Sequence, residues 1–258
     1  MRVDSVRKMN ELLGKEFQTN NYGKCFVIDY KNSRDVFVMF YDPVCVVRCH
    51  LGTLNKGQIK NPLVPTFYGR GFMGIGKYGK SDSRAFSLWR SVLERTCCLS
   101  FKERRPTYKN TSVCEEWLNF QNFAKWCYGQ KLLNAKDDKG SYYQLDKDLI
   151  LKGNKVYSPE TCCFVPPALN NLIRSKSTSA RGYPIGVSPH RKTGRFVAKV
   201  VLFDKNKHLG LFDTAEDAFQ VYKKAKDVHI KEIAELWKDR IDSKVYQALL
   251  NWEINISD

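Results

Sequence analysis

The segment that most restricts the fold is residues 142–171, because strand, turn and helix signals follow one another closely within it. The β-prone and apolar residues over 142–151 predict a first strand, and Lys-Gly-Asn-Lys at 152–155 predicts a turn. A second short strand begins at 156–157. The proline pair that opens 166–173 suits the first turn of a helix. The segment therefore predicts two strands followed by a helix.

Two acidic residues on the predicted first strand point to a cation site. Asp146 and Asp148 are two residues apart, so on a strand their side chains face the same way, and Lys147 faces the other way. Two carboxylates on one face repel each other unless a cation or a basic group lies between them. Asn170 or Asn171 on the helix would return a carbonyl oxygen, and such ligands suit Mg²⁺. The alternative is a solvated hairpin with two surface acids.

The same segment resembles the ββα-metal core of HNH-type nucleases, in the form that phage homing endonucleases carry. Residues 145–148 take the place of the family's first-strand motif, and residues 157–165 take the place of the motif after the loop. Asn170 falls where the family has its helix ligand. The resemblance implies a DNA endonuclease, nicking or cleaving, with Mg²⁺ or Mn²⁺ held by Asp146 and Asn170.

The chain departs from that family at Lys147, which stands where the family has the histidine that activates water. The catalytic candidates are therefore Asp146, Lys147 and Asp148. Asp148, or hydroxide on the metal, is the easier base, because an acid beside Lys147 opposes the lowering of pKa that a basic lysine needs. A catalytically inactive HNH-fold protein that binds DNA without cutting it is the alternative.

The C-terminal part predicts a small sheet followed by a helix. Three strands are predicted, over 185–188, 195–202 and 207–212. Thr193-Gly194 and Lys205-Asn206 are the predicted turns. Thr214, with Asp217 three residues on, predicts the N-cap of a helix that runs to about Ile230.

Residues 183–229 closely resemble the ethylene-response-factor type of DNA-binding domain, through Gly-Val-Ser-x-His and His-Leu-Gly-x-Phe-Asp-Thr-x-Glu-Asp-Ala. In that family the three-stranded sheet lies in the major groove of DNA. The charge of this region also favours DNA binding, since residues 174–207 contain nine Lys or Arg and one acid. The residues that we expect on DNA are Arg191, Arg195 and Lys199, with phosphate contacts from Ser188, His190, Lys205 and Lys207. The alternative is a solvated, charged sheet face.

Composition narrows the class of protein further. A net charge of +16 fits a partner such as double-stranded DNA, although a basic protein without a polyanion partner is the alternative. No stretch approaches the roughly 20 apolar residues of a membrane span. Nine cysteines, an odd number, and an N-terminus without an apolar signal core predict reduced thiols in a cytoplasmic protein, in the host cell cytosol.

The N-terminal residues predict a separate β unit, since short strands recur at about ten-residue spacing. It resembles the small Src-homology-like barrels of phage proteins. The glycine-rich run at 68–80 predicts a mobile loop near phosphates or a plain flexible loop. An amphipathic helix over 232–251 predicts packing or self-association.

Together these segments predict an α+β protein with three domains. The first is the small β-barrel at 1–62. The second, at 66–173, is a helical lead-in followed by the HNH-like nuclease core. The third, at 181–258, is the three-stranded sheet with its helices, joined to the second only by the Ser- and Arg-rich stretch 174–181.

Overall fold

The computed structural model describes residues 3–173 and 182–256 of the chain. The protein is a mixed α+β protein, as predicted. It forms two compact units, Met1–Cys127 and Tyr128–Asp258. The predicted domain boundaries near residues 62–66 and 173–181 both fall inside a unit, and the three-domain division stays a prediction. The predicted linker, 174–181, lies outside the described residues.

The first unit begins with a helix and a four-stranded antiparallel sheet in the order β1-β2-β3-β4. The elements are α1 Val3–Leu12, β1 Glu16–Gln18, β2 Lys24–Asn32, β3 Asp35–Tyr41, β4 Val44–Cys49 and α2 Leu51–Asn55. Residues on β3 alternate between the core and the other face, so that Val36, Val38 and Phe40 are fully buried. This alternation is the pattern that predicted strands here.

The predicted N-terminal barrel is wrong, because the sheet is open within the described residues, with β1 and β4 at its two edges. β1 has only three residues and pairs only with β2 in this part of the chain. Leu12 of α1 and Leu54 of α2 enter the core beside Val27 and Val36. Helix ends therefore cover the buried face that closure of a barrel would have covered.

The remainder of the first unit is mainly helical. Its elements are α3 Ser83–Cys97, α4 Leu99–Arg104, β5 Ser112–Val113 and α5 Phe120–Gly129, with 3₁₀ turns at Pro106–Tyr108 and Glu115–Leu118. Trp89 of α3 packs against Phe120, with ring centroids 5.2 Å apart, and its indole nitrogen donates to the Trp117 carbonyl at 2.7 Å. These aromatic residues are core residues.

The glycine-rich run is held in place, which differs from the predicted mobile loop. The Gln121 amide nitrogen donates to the carbonyls of Met73 and Tyr78, both at 2.9 Å, and its oxygen accepts from the Tyr78 amide at 3.0 Å. A Cβ added at Gly76 would lie 2.3 Å from the Gln121 oxygen. Glycine is needed here because the loop backbone passes close to a neighbouring side chain.

The second unit holds both of the functional segments that the sequence singled out. Its elements are β6 Gln144–Asp146, β7 Val156–Tyr157, β8 Cys163–Val165, α6 Pro167–Ile173, β9 Val187–Pro189, β10 Phe196–Leu202, β11 Lys205–Phe212, α7 Ala215–Trp237 and α8 Ser243–Leu250. β6 pairs antiparallel with β8, and α6 follows directly. The second sheet has the order β11-β10-β9. The helices predicted after Pro166 and Thr214 are both present.

Two details of the second unit correct the prediction. Phe203 and Asp204, with φ of 48° and 62°, form the tight turn between β10 and β11. The predicted turn at Lys205-Asn206 is therefore wrong, and both residues belong to β11. The helix predicted over 232–251 is broken, since α7 ends at Trp237 and α8 begins after the N-cap Asp242.

One hydrophobic core joins the residues on both sides of 174–181. Leu149, Val165 and Leu169 share it with residues of the sheet, of α7 and of α8, among them Ala198, Val200, Ala218, Phe219, Val245, Leu249 and Trp252. The Lys152 ammonium donates to the Glu253 carbonyl at 2.7 Å. The Arg240 guanidinium binds both oxygens of Asp138, at 2.8 and 3.0 Å. The expectation that only a linker joins these segments is wrong.

No helix within residues 3–173 and 182–256 combines the length and the apolar character that crossing a membrane requires.

Candidate metal site and nucleic-acid interface

Strand β6 places Asp146 and Asn170 on the same side of the second unit. Leu145 points into the core, so Gln144 and Asp146 lie on the opposite face of the strand. Asn170, on α6, donates its amide hydrogen to the Gln144 side-chain oxygen at 2.8 Å. The helix therefore returns to the face of β6 that carries Asp146, as the sequence predicted for Asn170.

Asp146 ends the strand with its own side chain. Its Oδ1 accepts hydrogen bonds from the backbone amides of Asp148, at 2.9 Å, and Leu149, at 2.7 Å. Such a turn uses backbone amides that would otherwise donate to a neighbouring strand if β6 continued. The prediction that Asp148 shares a strand face with Asp146 is wrong, because β6 ends at Asp146.

The carboxylate of Asp146 lacks a compensating positive charge. Burial raises its pKa to about 6, and the negative charge of Asp148 contributes in the same direction. The two backbone amides oppose this rise, and Lys147 opposes it least. A cation beside Asp146 would stabilise the ionised form and lower the pKa. A partly buried carboxylate with a raised pKa is a candidate functional group.

Lys147 and Asp148 are paired with each other. The Lys147 side chain is buried, and its ammonium lies 3.0 Å from Asp148 Oδ2. It also lies above the ring of Tyr157, 5.9 Å from the centroid. The Asn154 amide donates to the Lys147 carbonyl at 2.7 Å and so holds the loop. In this ion pair the Lys147 ammonium donates and the Asp148 carboxylate accepts, so Asp148 is the better candidate base.

The oxygen atoms at this site fit a hydrated divalent ion. Mg²⁺ is usually held by one or two carboxylates and keeps several waters, and Mn²⁺ accepts similar ligands. Asp146 would supply the carboxylate and Asn170 an amide oxygen, while the Gln144 oxygen accepts the hydrogen bond from Asn170. No group of three His, Cys, Asp or Glu side chains suited to a metal is present in the described ranges, 3–173 and 182–256.

The sheet β11-β10-β9 has one face covered by a helix and one open face. Ala198 and Val200 of β10 pack with residues of α7 in the shared core. Lys199 and Val201 alternate with them and are exposed on the other face, which we call the outer face. Lys199 lies directly opposite His208 of β11.

The structure separates the seven predicted DNA contacts into groups. Ser188 pairs with Val197, and Lys199 lies two residues further along β10, so Ser188 and Lys199 share the outer face. Lys207 pairs with Val200, and Lys205 pairs with Leu202, so both are on the side of α7. They are exposed because β11 is an edge strand.

The remaining predicted contacts lie at the end of the sheet near the β9–β10 turn. Arg195 forms an ion pair with Asp213, at 2.8 Å, and donates to the Leu211 carbonyl at 3.2 Å. His190 Nδ1 lies 2.9 Å from the Thr193 hydroxyl within the turn. Arg191 is exposed in the same turn. Part of the charge of Arg195 is therefore already compensated by Asp213.

Sequence reasoning did not identify His208 as an outer-face residue. A bulge between Ala198 and Lys199 shifts the register, so Ala198 pairs with Gly210 and Lys199 with His208. Simple alternation along 205–212 does not reveal this shift. The position of His208 directly opposite Lys199 became apparent only once the pairing was known.

Comparisons with known protein families, with characterised proteins and with solved structures give no match to this chain.

Proposed function

We propose that the protein is a divalent-metal-dependent endonuclease that binds double-stranded DNA through the outer face of its C-terminal sheet. The observation that carries the proposal is the partly buried carboxylate of Asp146, with its raised pKa, on the strand face to which Asn170 returns. The resemblance to HNH-type homing nucleases implies the same two ligands. Action in the host cell cytosol, and self-association through the C-terminal helix, are further expectations.

The residues divide the chemistry between them. Asp146 and Asn170 would hold Mg²⁺ or Mn²⁺, which, when bound, stabilises the negative charge that develops on a phosphodiester under attack. Asp148 has the more exposed side chain of its ion pair and would accept the proton of the attacking water. Lys147, whose ammonium lies 3.0 Å from Asp148 Oδ2, would hold that carboxylate in position.

DNA binding would come from the outer face and its margins. Lys199 and Ser188 would face the groove, and Arg191 and Arg195 would contact DNA from the end of the sheet near the turn. Lys205 and Lys207, on the edge strand, would contact phosphates beside it. Phosphate contacts of this kind make affinity depend steeply on salt concentration.

A second candidate function is DNA binding without cleavage. The ion pair between Lys147 and Asp148 favours it, because it places a cation where HNH nucleases have a water-activating histidine and engages the neighbouring acid.

Plasmid nicking with and without Mg²⁺ or Mn²⁺ tests the proposal. We expect weak, metal-dependent nicking that Asp146→Ala abolishes and Asn170→Ala strongly reduces. Asp239→Ala removes an exposed acid elsewhere in the same unit and serves as the matched control. Lys147→His restores the residue of the family and should raise the rate. If no variant nicks DNA with either metal while duplex binding is intact, the second candidate function is correct.

A further inference from the structure

A cluster of positive charge in the first unit has no role in the proposed site. Residues 102–109, which we call the basic corner, hold four cations and one acid, Glu103. The basic corner spans the end of α4 and the 3₁₀ turn Pro106–Tyr108. Three of its cations, Arg104, Arg105 and Lys109, are exposed.

The basic corner is held rigidly by its neighbours. The Tyr108 ring packs edge-on against Phe101, with centroids 5.5 Å apart, and the Arg95 guanidinium lies 5.8 Å from the Tyr108 centroid. The Lys102 ammonium donates to the Thr111 carbonyl at 2.9 Å. Three successive elements are therefore tied together, so the backbone that carries the exposed cations is already ordered before a partner binds.

The cations of the basic corner also differ from others in the same unit in having no acidic partner. Lys24 pairs with Glu16 at 3.2 Å, and Arg48 pairs with Asp35 at 2.6 Å. Within residues 3–173 and 182–256, no ion pair involves the three exposed cations of the basic corner. Arg104 uses only Nε, which donates to the Ser100 carbonyl at 3.1 Å. Its two terminal nitrogens are left for an external acceptor in this part of the structure.

We infer that the basic corner binds the phosphate backbone of DNA, as a second contact that does not depend on base sequence. A guanidinium with free terminal nitrogens matches the paired oxygens of a phosphate. Closely spaced cations without acidic partners release counterions from a polyanion when they bind it. DNA is favoured over an acidic protein surface because the proposed function already brings a duplex to this protein. The identity of the polyanion as DNA rests on the proposed function.

Salt-dependent binding of the full chain tests the inference. The probe is a labelled random-sequence duplex followed by fluorescence anisotropy between about 50 and 200 mM salt. We expect Arg104→Gln/Arg105→Gln to reduce the slope of log affinity against log salt by about 1 for each arginine. Lys24→Gln/Arg48→Gln removes the same two charges and should leave the slope nearly unchanged. Equal effects of the two double variants would overturn the inference, since only net charge would then matter.

Two further comparisons distinguish failure of this inference from failure of the proposed function. If Lys199→Gln weakens binding and the basic-corner variant does not, the inference is wrong and the sheet proposal stands. If the basic-corner variant alone weakens binding, the inference holds and the sheet proposal fails. Competition by polyglutamate as strong as that by unlabelled duplex would assign the basic corner to an acidic protein partner and overturn the inference.

Discussion

Replacing Asp146 by Asn should stabilise the protein at neutral pH while removing the carboxylate of the proposed metal site. The pKa of Asp146 is raised from 3.8 to about 6 in the folded protein. Each pKa unit corresponds to about 1.4 kcal/mol, so the ionised carboxylate costs the folded state about 3 kcal/mol. Asn keeps the oxygen that accepts from the backbone amides of Asp148 and Leu149.

The pH dependence fixes the sign of the effect. The folded protein binds the Asp146 proton more tightly than the unfolded chain does. Wild-type stability should therefore fall as pH rises from about 4 to about 6, and this loss should be absent from Asp146→Asn. The variant should gain up to about 3 kcal/mol above pH 6 and almost nothing near pH 4.

Urea denaturation followed by tryptophan fluorescence, at about pH 4 and pH 7.5, measures this difference in the free energy of unfolding. Asp138→Asn is the control, because Arg240 lowers the pKa of Asp138, so loss of that charge should destabilise the protein instead. Mg²⁺ should stabilise the wild type at the higher pH and leave Asp146→Asn unchanged. A variant that is no more stable than the wild type at pH 7.5 would refute the argument that the carboxylate is uncompensated.

Three shorter predictions follow from the second unit. Asp213→Asn should tighten duplex binding several-fold at low salt, measured by anisotropy, because it frees Arg195 from its ion pair. Gly186→Ala should lower the melting temperature by several degrees in a calorimetric scan, since φ is +78° and the added Cβ would lie 2.1 Å from the Tyr222 ring. Lys199→Ala should weaken duplex binding and leave the melting temperature within a degree or two, because its side chain is exposed.

Local patterns predicted local structure well in this chain. The helix after Pro166 and the helix start at Thr214 follow from proline and capping preferences that act within one turn. The return of Asn170 to the face of Asp146 followed from matching the segment to a known arrangement of two strands and a helix. Short-range physical preferences were sufficient for the two helices.

The features that were not predicted depend either on a choice among competing local hydrogen bonds and turns or on contacts between distant residues. The side chain of Asp146 ends β6 by accepting backbone hydrogen bonds, although the residues after it are β-prone. The turn at Phe203-Asp204 uses a phenylalanine with positive φ, which no turn preference favours. In the described part of the chain the predicted N-terminal barrel does not form, because helices α1 and α2 cover the buried face of the sheet that closure of a barrel would have covered.

Under the proposed function, the shared core of the second unit fixes the distance between the sheet that binds DNA and the site that cuts it. When two domains are joined only by a flexible chain, the length of that chain sets the reach of one from the other. Here Leu149 and Leu169 pack in the same interior as Ala198 and Phe219. Insertions at 174–181 would therefore leave the cleavage position relative to the bound sequence unchanged. For the same reason a fragment beginning at residue 182 would expose the apolar surface that Leu149, Val165 and Leu169 cover in the whole protein.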